Sequence, residues 1–285
     1  MARLCNDGMG VKARFHVPIP TCLGTRMVWI FLRGLTRETA HWGSFPDEFR
    51  QNLPAAQVIS LDLPGNGRLY QDTSPLSIGV MVSFCRIELS LRKVKPPYFL
   101  LAMSLGAMVA TEWSYRFPEE IAGCVLINTS FQAFSPFYRR LRPRNYLALV
   151  KLALLTTDPG DVERAILRLT SREASKRAGV IPAWIEARVD RPVTAINALR
   201  QLLAALRYSA RAAPPATALL ILCSEHDGLV HFSCSQAIAS SWNCALGLHP
   251  SAGHDIPLDD PAWVIERVQR WLIERSKRAR DTSQN

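Results

Sequence analysis

The chain has 285 residues, 48% of them apolar and 20% charged, and a formal net charge of +10. That length suits one large α/β domain with room for a second small unit, and the composition excludes a disordered or fibrous protein. No stretch is expected to span a bilayer, because the most apolar helical candidate, YLALVKLALL at 146–155, is short and interrupted by Lys151.

The opening MARLCNDGMGVKARF lacks the continuous apolar run of a secretory signal, so export is not expected. Seven cysteines, scattered from Cys5 to Cys244 with no CxxC, fit buried thiols in a reducing compartment, and a cytoplasmic protein is the expectation. The charge is unevenly placed. Residues 131–213 hold 15 of the 34 Lys+Arg and 6 of the 24 Asp+Glu, so nine of the ten surplus positive charges lie in that one segment.

In chain order, the first buried strand is Met27 to Leu32, and it runs into Arg33 and Gly34. The second, Gln57 to Leu61, is followed by DLPGNG, in which Asp62 would stabilise the turn. Without the lysine and Ser/Thr of a phosphate loop, that turn is not a nucleotide site, and no cofactor is expected. Pro96 and Pro97 precede a third strand, Tyr98 to Met103. A helical pattern from Leu105 to Tyr115 and a fourth strand, Ile121 to Ile127, come next. Residues 131–213 show helical spacing without a convincing strand. Two further strands, Ala218 to Cys223 and Ala245 to Leu248, precede a helix from Pro261 to Trp271 and a basic tail, Glu274 to Arg280, read as a frayed helix end. Such alternation predicts a mainly parallel sheet flanked by helices, with a core of 1–130 and 214–285 and a helical lid inserted at 131–213.

Three strand ends carry candidate chemistry. Ala102, Met103, Ser104, Leu105 and Gly106 form G-x-S-x-G with alanine first, between a strand and a helix; small flanking residues let the backbone fold tightly and expose the serine hydroxyl. The alternative is a small-residue helix start that packs on the sheet. Asp227 follows the fifth strand, with Glu225 as the rival acid, and His254 lies in SAGHD between the last strand and the final helix. The order Ser, Asp, His, each just past a strand, lets all three converge at the carboxyl edge of a parallel sheet. His254 would then take the Ser104 proton, Asp227 would hold the imidazole, and two backbone N–H groups, Leu105 and Leu35, would stabilise the oxyanion.

The motifs FLRGLTRETAHWG, SLDLPGNG, LLAMSLGAM, LCSEHDGLV and PSAGHDIPLDDP make the chain resemble the α/β-hydrolase fold, and within it lidded serine carboxylesterases of the pimeloyl-carrier-protein methyl esterase type. The resemblance covers about 30–130 and 214–273. It implies that the D-x-x-V pattern marks Asp227 and that a helical cap falls at 131–213. Three departures are Arg33-Gly34 where the family has His-Gly, Ala102 for the first elbow glycine, and a region before Met27 that is short for the family's first two strands, so an abbreviated sheet edge is expected there.

The expected activity is cleavage of a small ester or thioester; amide, peptide or C–C hydrolysis and a non-catalytic binding protein are the alternatives. Arg33, Trp42, Phe134, Phe137 and Trp184 are the pocket candidates. Trp42 reads equally as core, and Arg33 either braces the oxyanion loop or reads an acidic substrate. His16, His41 and His249 are expected to be structural, and Cys223, His226, His231 and Cys234 lack zinc spacing, so no metal is expected. The basic segment is a solvated helix surface, a docking face for an acidic partner such as an acyl carrier protein, or a patch for nonspecific binding to nucleic acid or anionic membrane. No nucleic-acid partner is expected.

Overall fold

A computed structural model describes residues 27–283; Cys5, His16 and the N-terminal stretch lie outside the described residues. Six strands, β1 Met27–Leu32, β2 Ala56–Leu61, β3 Tyr98–Met103, β4 Ile121–Ile127, β5 Ala218–Ser224 and β6 Ala245–His249, form one sheet in the order β2-β1-β3-β4-β5-β6. Every neighbouring pair is parallel. The strands are nearly continuous apolar runs because both faces of the sheet are covered. Along β1 the side chains alternate. Ile30 and Leu32 join one core with Leu100 and Ala102, whereas Trp29 and Phe31 join the other with Leu101 and Met103.

Helices α1 Phe45–Asn52, α2 Ile78–Leu91 and α3 Leu105–Arg116 lie within the first half of the fold. Between β4 and β5 come α4 Phe137–Arg140, α5 Tyr146–Leu155, α6 Pro159–Thr170, α7 Ala174–Asp190 and α8 Ala195–Arg207. The remaining helices are α9 Ser233–Trp242, α10 Ile256–Asp259 and α11 Pro261–Ser283. The first core is closed by α2, α3, α8 and α9, and the second by α1 and α11, whose Val264, Val268 and Leu272 are buried. The basic tail at 274–280 is therefore not a frayed end: α11 continues through it. Among the described residues, no helix is long and apolar enough to cross a membrane.

The strand order locates the crevice. From β1 the chain moves to β2 on one side, then returns to place β3 on the other, so the carboxyl ends of β1 and β3 diverge at a switch point. At that point α3 approaches β1 closely. A Cβ on Gly106 would stand 2.5 Å from the Leu32 carbonyl oxygen and 2.6 Å from that of Arg33, so only glycine fits.

The helical segment between β4 and β5 is held to the core by polar side chains. Asp158 and Thr194 cap α6 and α8 by accepting from the amides three residues on. On α8, Asn197 bonds Ser74 N–H and the Asp72 carbonyl, and Gln201 donates to Asn66 Oδ1 and accepts from Thr36 N–H at 2.8 Å. Glu163 of α6 is fully buried between Arg37 and Arg188, each at 2.6 Å. Asp62, as expected, holds its own turn through Arg68 N–H, and it also bonds Thr39.

Candidate active site

Ser104 sits between β3 and α3 with φ 53 and ψ −114, a conformation that a non-glycine residue adopts only when its surroundings enforce it. Its N–H is taken by the Ile127 carbonyl at 2.9 Å, and its own carbonyl accepts from Ala107 at the start of α3. The strand and the helix thus clamp the turn from both sides. Gly34 lies against it: a Cβ there would stand 3.2 Å from Ser104 Cβ and 3.7 Å from Ser104 Oγ. A side chain at 34 would press on the Ser104 Cβ.

Asp227 and His254 meet in the structure. His254 Nδ1 and Asp227 Oδ2 are 2.7 Å apart and both residues are buried. The other carboxylate oxygen accepts from Leu229 N–H and Val230 N–H at 2.7 and 3.0 Å, which fixes the acid within its own loop. When Nδ1–H donates this hydrogen bond to the carboxylate, Nε2 carries the lone pair. Glu225, the rival acid, is exposed, and its amide bonds the His249 carbonyl.

Two bridges bring the His254 loop to Ser104. Asn128, directly after β4 and itself at φ 46, donates to the His254 carbonyl at 2.7 Å and accepts from Ser224 N–H at 3.0 Å. Its neighbours Ile127 and Thr129 both bond the Ser104 backbone. The second bridge is Arg33, whose Nη1 and Nη2 donate to Asp255 Oδ1 and Oδ2 at 3.1 and 2.5 Å, with both side chains only 3% exposed. Its guanidinium also lies 4.7 Å from the Trp42 ring centre. Arg33 thus commits its two terminal nitrogens to Asp255 and ties the end of β1 to the residue after His254.

Further contacts hold these loops from outside. Arg142 donates to the Asp227 carbonyl at 2.8 Å, and Asn145 to that of Gly228 at 2.7 Å. Asp259 accepts from Gly253 N–H at 2.7 Å and from Arg172 N–H at 2.9 Å. His249 bonds Asp260 and the amides of Ser251 and Ala252, so it is structural.

Leu105 opens α3, and a first-turn N–H has no acceptor within its own helix. In the β1 turn, Thr36 N–H is bound by Gln201 and Arg37 N–H by the Gly34 carbonyl, while Leu35 N–H has no partner among the described residues. Both candidate donors flank the Ser104–Gly34 contact.

The aromatic candidates are placed differently. Trp42 is core, packed on Phe31 and Phe45. Trp184 is buried beside His41, with Arg37 over its ring at 4.8 Å. Phe134 joins a cluster with Phe131 and Trp242, and Phe137 is 64% exposed. None of the four is shown lining the Ser104 crevice.

Burial and the nearby Arg37, Arg33 and Arg188 charges push the His41 pKa well below the usual imidazole value; its Nδ1 accepts from Glu38 N–H. Burial likewise raises the Cys223 thiol to about 12, which keeps it protonated. Among the described residues no three His, Cys, Asp or Glu side chains cluster as metal ligands.

Asn128, Asp255, Asp259 and the α8 pair escaped the sequence reading. A complementary signal existed for one of them: a cation beside Gly34 and an anion beside His254 both follow strands.

Residues 29–267 match the alpha/beta hydrolase family, and the chain belongs to that family of hydrolases. It is 26% identical over 261 residues to the biotin biosynthesis bifunctional protein BioHC of Cellvibrio japonicus, covering 86% of this chain and 47% of that protein. The chain thus spans about half the length of the curated relative that it matches. Among solved structures, the fold is similar to a thermophilic esterase from Thermogutta terrifontis (TM-score 0.69, 19% identity, 88% of this chain and 91% of the other). The esterase RhEst1 from Rhodococcus sp. ECU1013 is also similar (TM-score 0.68, 15% identity, 86% and 90%).

Proposed function

We propose that the protein is a cytoplasmic serine hydrolase that cleaves a carboxylic ester or thioester through an acyl-enzyme on Ser104. The observation that carries the reading is the buried His254–Asp227 hydrogen bond, in loops tied through Asn128 and Arg33 to the strand ends around Ser104. Ser104 Oγ attacks the acyl carbon while His254 Nε2 takes its proton, and the Leu35 and Leu105 N–H groups receive the oxyanion. Collapse expels the alcohol or thiol, which leaves with the proton from His254. A water molecule then gives its proton to His254, attacks the acyl-enzyme, and releases the acid and free Ser104. Asp227 stabilises the imidazolium formed in each half-reaction.

Residues 131–213 act as the lid over this crevice, supported by their bonds to the Asp227, His254 and Leu35 loops. Delivery of the acyl group on an acidic carrier protein is the finer reading of the positive surplus in this segment. Its mark would be a salt-sensitive preference for carrier-bound over free acyl groups.

The test is labelling with a fluorophosphonate, alongside turnover of a short p-nitrophenyl ester. Wild type should label and turn over, and Ser104→Ala should do neither, with the rate falling at least about a thousand-fold. Labelling that survives in Ser104→Ala overturns the reading.

A further inference from the structure

From Phe131 to Thr157 the chain contains Arg139, Arg140, Arg142, Arg144 and Lys151 and no aspartate or glutamate. Among the described residues none of these five cations is ion-paired, whereas Arg164, Arg188 and Arg191 further along are paired with Asp161, Glu163 and Glu38. The same short stretch exposes large apolar side chains: Phe137 at 64%, Tyr138 at 49%, Leu147 at 67% and Val150 at 53%. Four such groups on α4 and α5, with the exposed cations Arg139, Arg144 and Lys151 in the same stretch, form a surface that water solvates poorly and that carries charge of one sign.

The surface is held rigidly at its base. Arg142 N–H donates to the Leu229 carbonyl, His231 N–H to that of Arg139, and Asn145 Nδ2 to that of Gly228. These bonds fix the turn between α4 and α5 on the loop after β5, so the apolar groups are presented outward.

The chemistry selects the occupant. Arg140 is buried on the Leu206 and Ala205 carbonyls and Arg142 is turned to that of Asp227, so a second copy of this face would bring the exposed Arg139, Arg144 and Lys151 against the same three, which is repulsive. An acidic carrier protein delivering substrate would draw on the cations of 131–213 as a whole and would leave the aliphatic and aromatic groups of α4 and α5 uncovered. An anionic phospholipid surface supplies both partners, with phosphates at the depth of Arg144 and Lys151 and acyl chains for Phe137, Leu147 and Val150; Tyr138 and Tyr146 suit the boundary between them. We propose that α4 and α5 dock the protein peripherally on membranes that carry anionic phospholipid. The inference concerns binding alone and does not rest on the role of Ser104.

The test is co-sedimentation of the full chain with vesicles of phosphatidylcholine containing about one-third phosphatidylglycerol, and with pure phosphatidylcholine. Strong binding to the anionic vesicles, weakened by salt, is expected. Arg144→Gln/Lys151→Gln should reduce it by about five-fold for each charge removed, and Phe137→Ser/Leu147→Ser should reduce it at least as much. Ser104→Ala should bind like wild type, which separates this proposal from the hydrolase reading. Circular dichroism of each variant checks that it remains folded. The proposal is overturned by equal binding to both vesicle types, or by unchanged binding of both double variants. It is also overturned if Ile87→Ser/Leu91→Ser, on the exposed apolar stripe of α2, abolishes binding, or if the chain binds an acidic carrier protein but not the vesicles.

Discussion

A guanidinium inside a sheet edge is tolerable only while its carboxylate stays with it, and Arg33 is such a case. Removal of one partner strands the other charge in a buried site, so Asp255→Asn should cost about 3–5 kcal/mol, whereas Arg33→Met/Asp255→Leu should recover most of that loss. Urea unfolding of Arg33→Met, Asp255→Leu and the double variant measures the coupling; additive losses would mean that the pair is not a unit. His41 makes a second residue-level case. Its folded pKa lies below the ordinary value of 6.5, so the unfolded chain binds the proton more readily. Stability is therefore full above about pH 6.5 and declines as pH falls from there toward the folded value, by up to about 1.4 kcal/mol per unit. Wild type should lose more stability between pH 7.5 and 5.5 than His41→Phe, and equal losses would remove His41 from the account.

At the scale of elements, the junction after β4 does more than connect. Asn128 combines a left-handed backbone with bonds to both the β5 end and the His254 loop. Asn128→Ala should lower kcat by about ten- to a hundred-fold through a displaced imidazole, with KM little changed. A rise in KM at constant kcat would instead mark 128 as a binding position. The strands were legible because a parallel sheet buried on both faces writes each strand as an apolar run; β1, β3 and β4 match the sequence reading to the residue. The proposed serine, acid and base could be picked out because each follows such a run. What escaped was partner choice. Nothing local to Arg33 says that its counter-ion is Asp255, and nothing in α8 says that Asn197 and Gln201 face loops more than a hundred residues away. Trp184 and Phe137 share the same apolar character, yet one is buried under Arg37 and the other faces water, because packing between loops and helices decides which face turns inward.

For the whole molecule, the helical segment and the core share polar contacts at the buried Glu163 and Gln201 and at the half-buried Asp259. Heat unfolding followed by far-UV and by near-UV circular dichroism should therefore give superimposable curves. An early transition confined to one signal would show that the helices melt independently. The first strand and the last loop meet through Arg33 and Asp255, 222 positions apart. At typical translation speeds, on the order of ten to forty seconds separate their emergence from the ribosome. Ser104 emerges partway through that interval, and His254 follows it only 150 positions later. On the proposed mechanism, the order of synthesis itself withholds the base from the Ser104 hydroxyl until the two distant segments close.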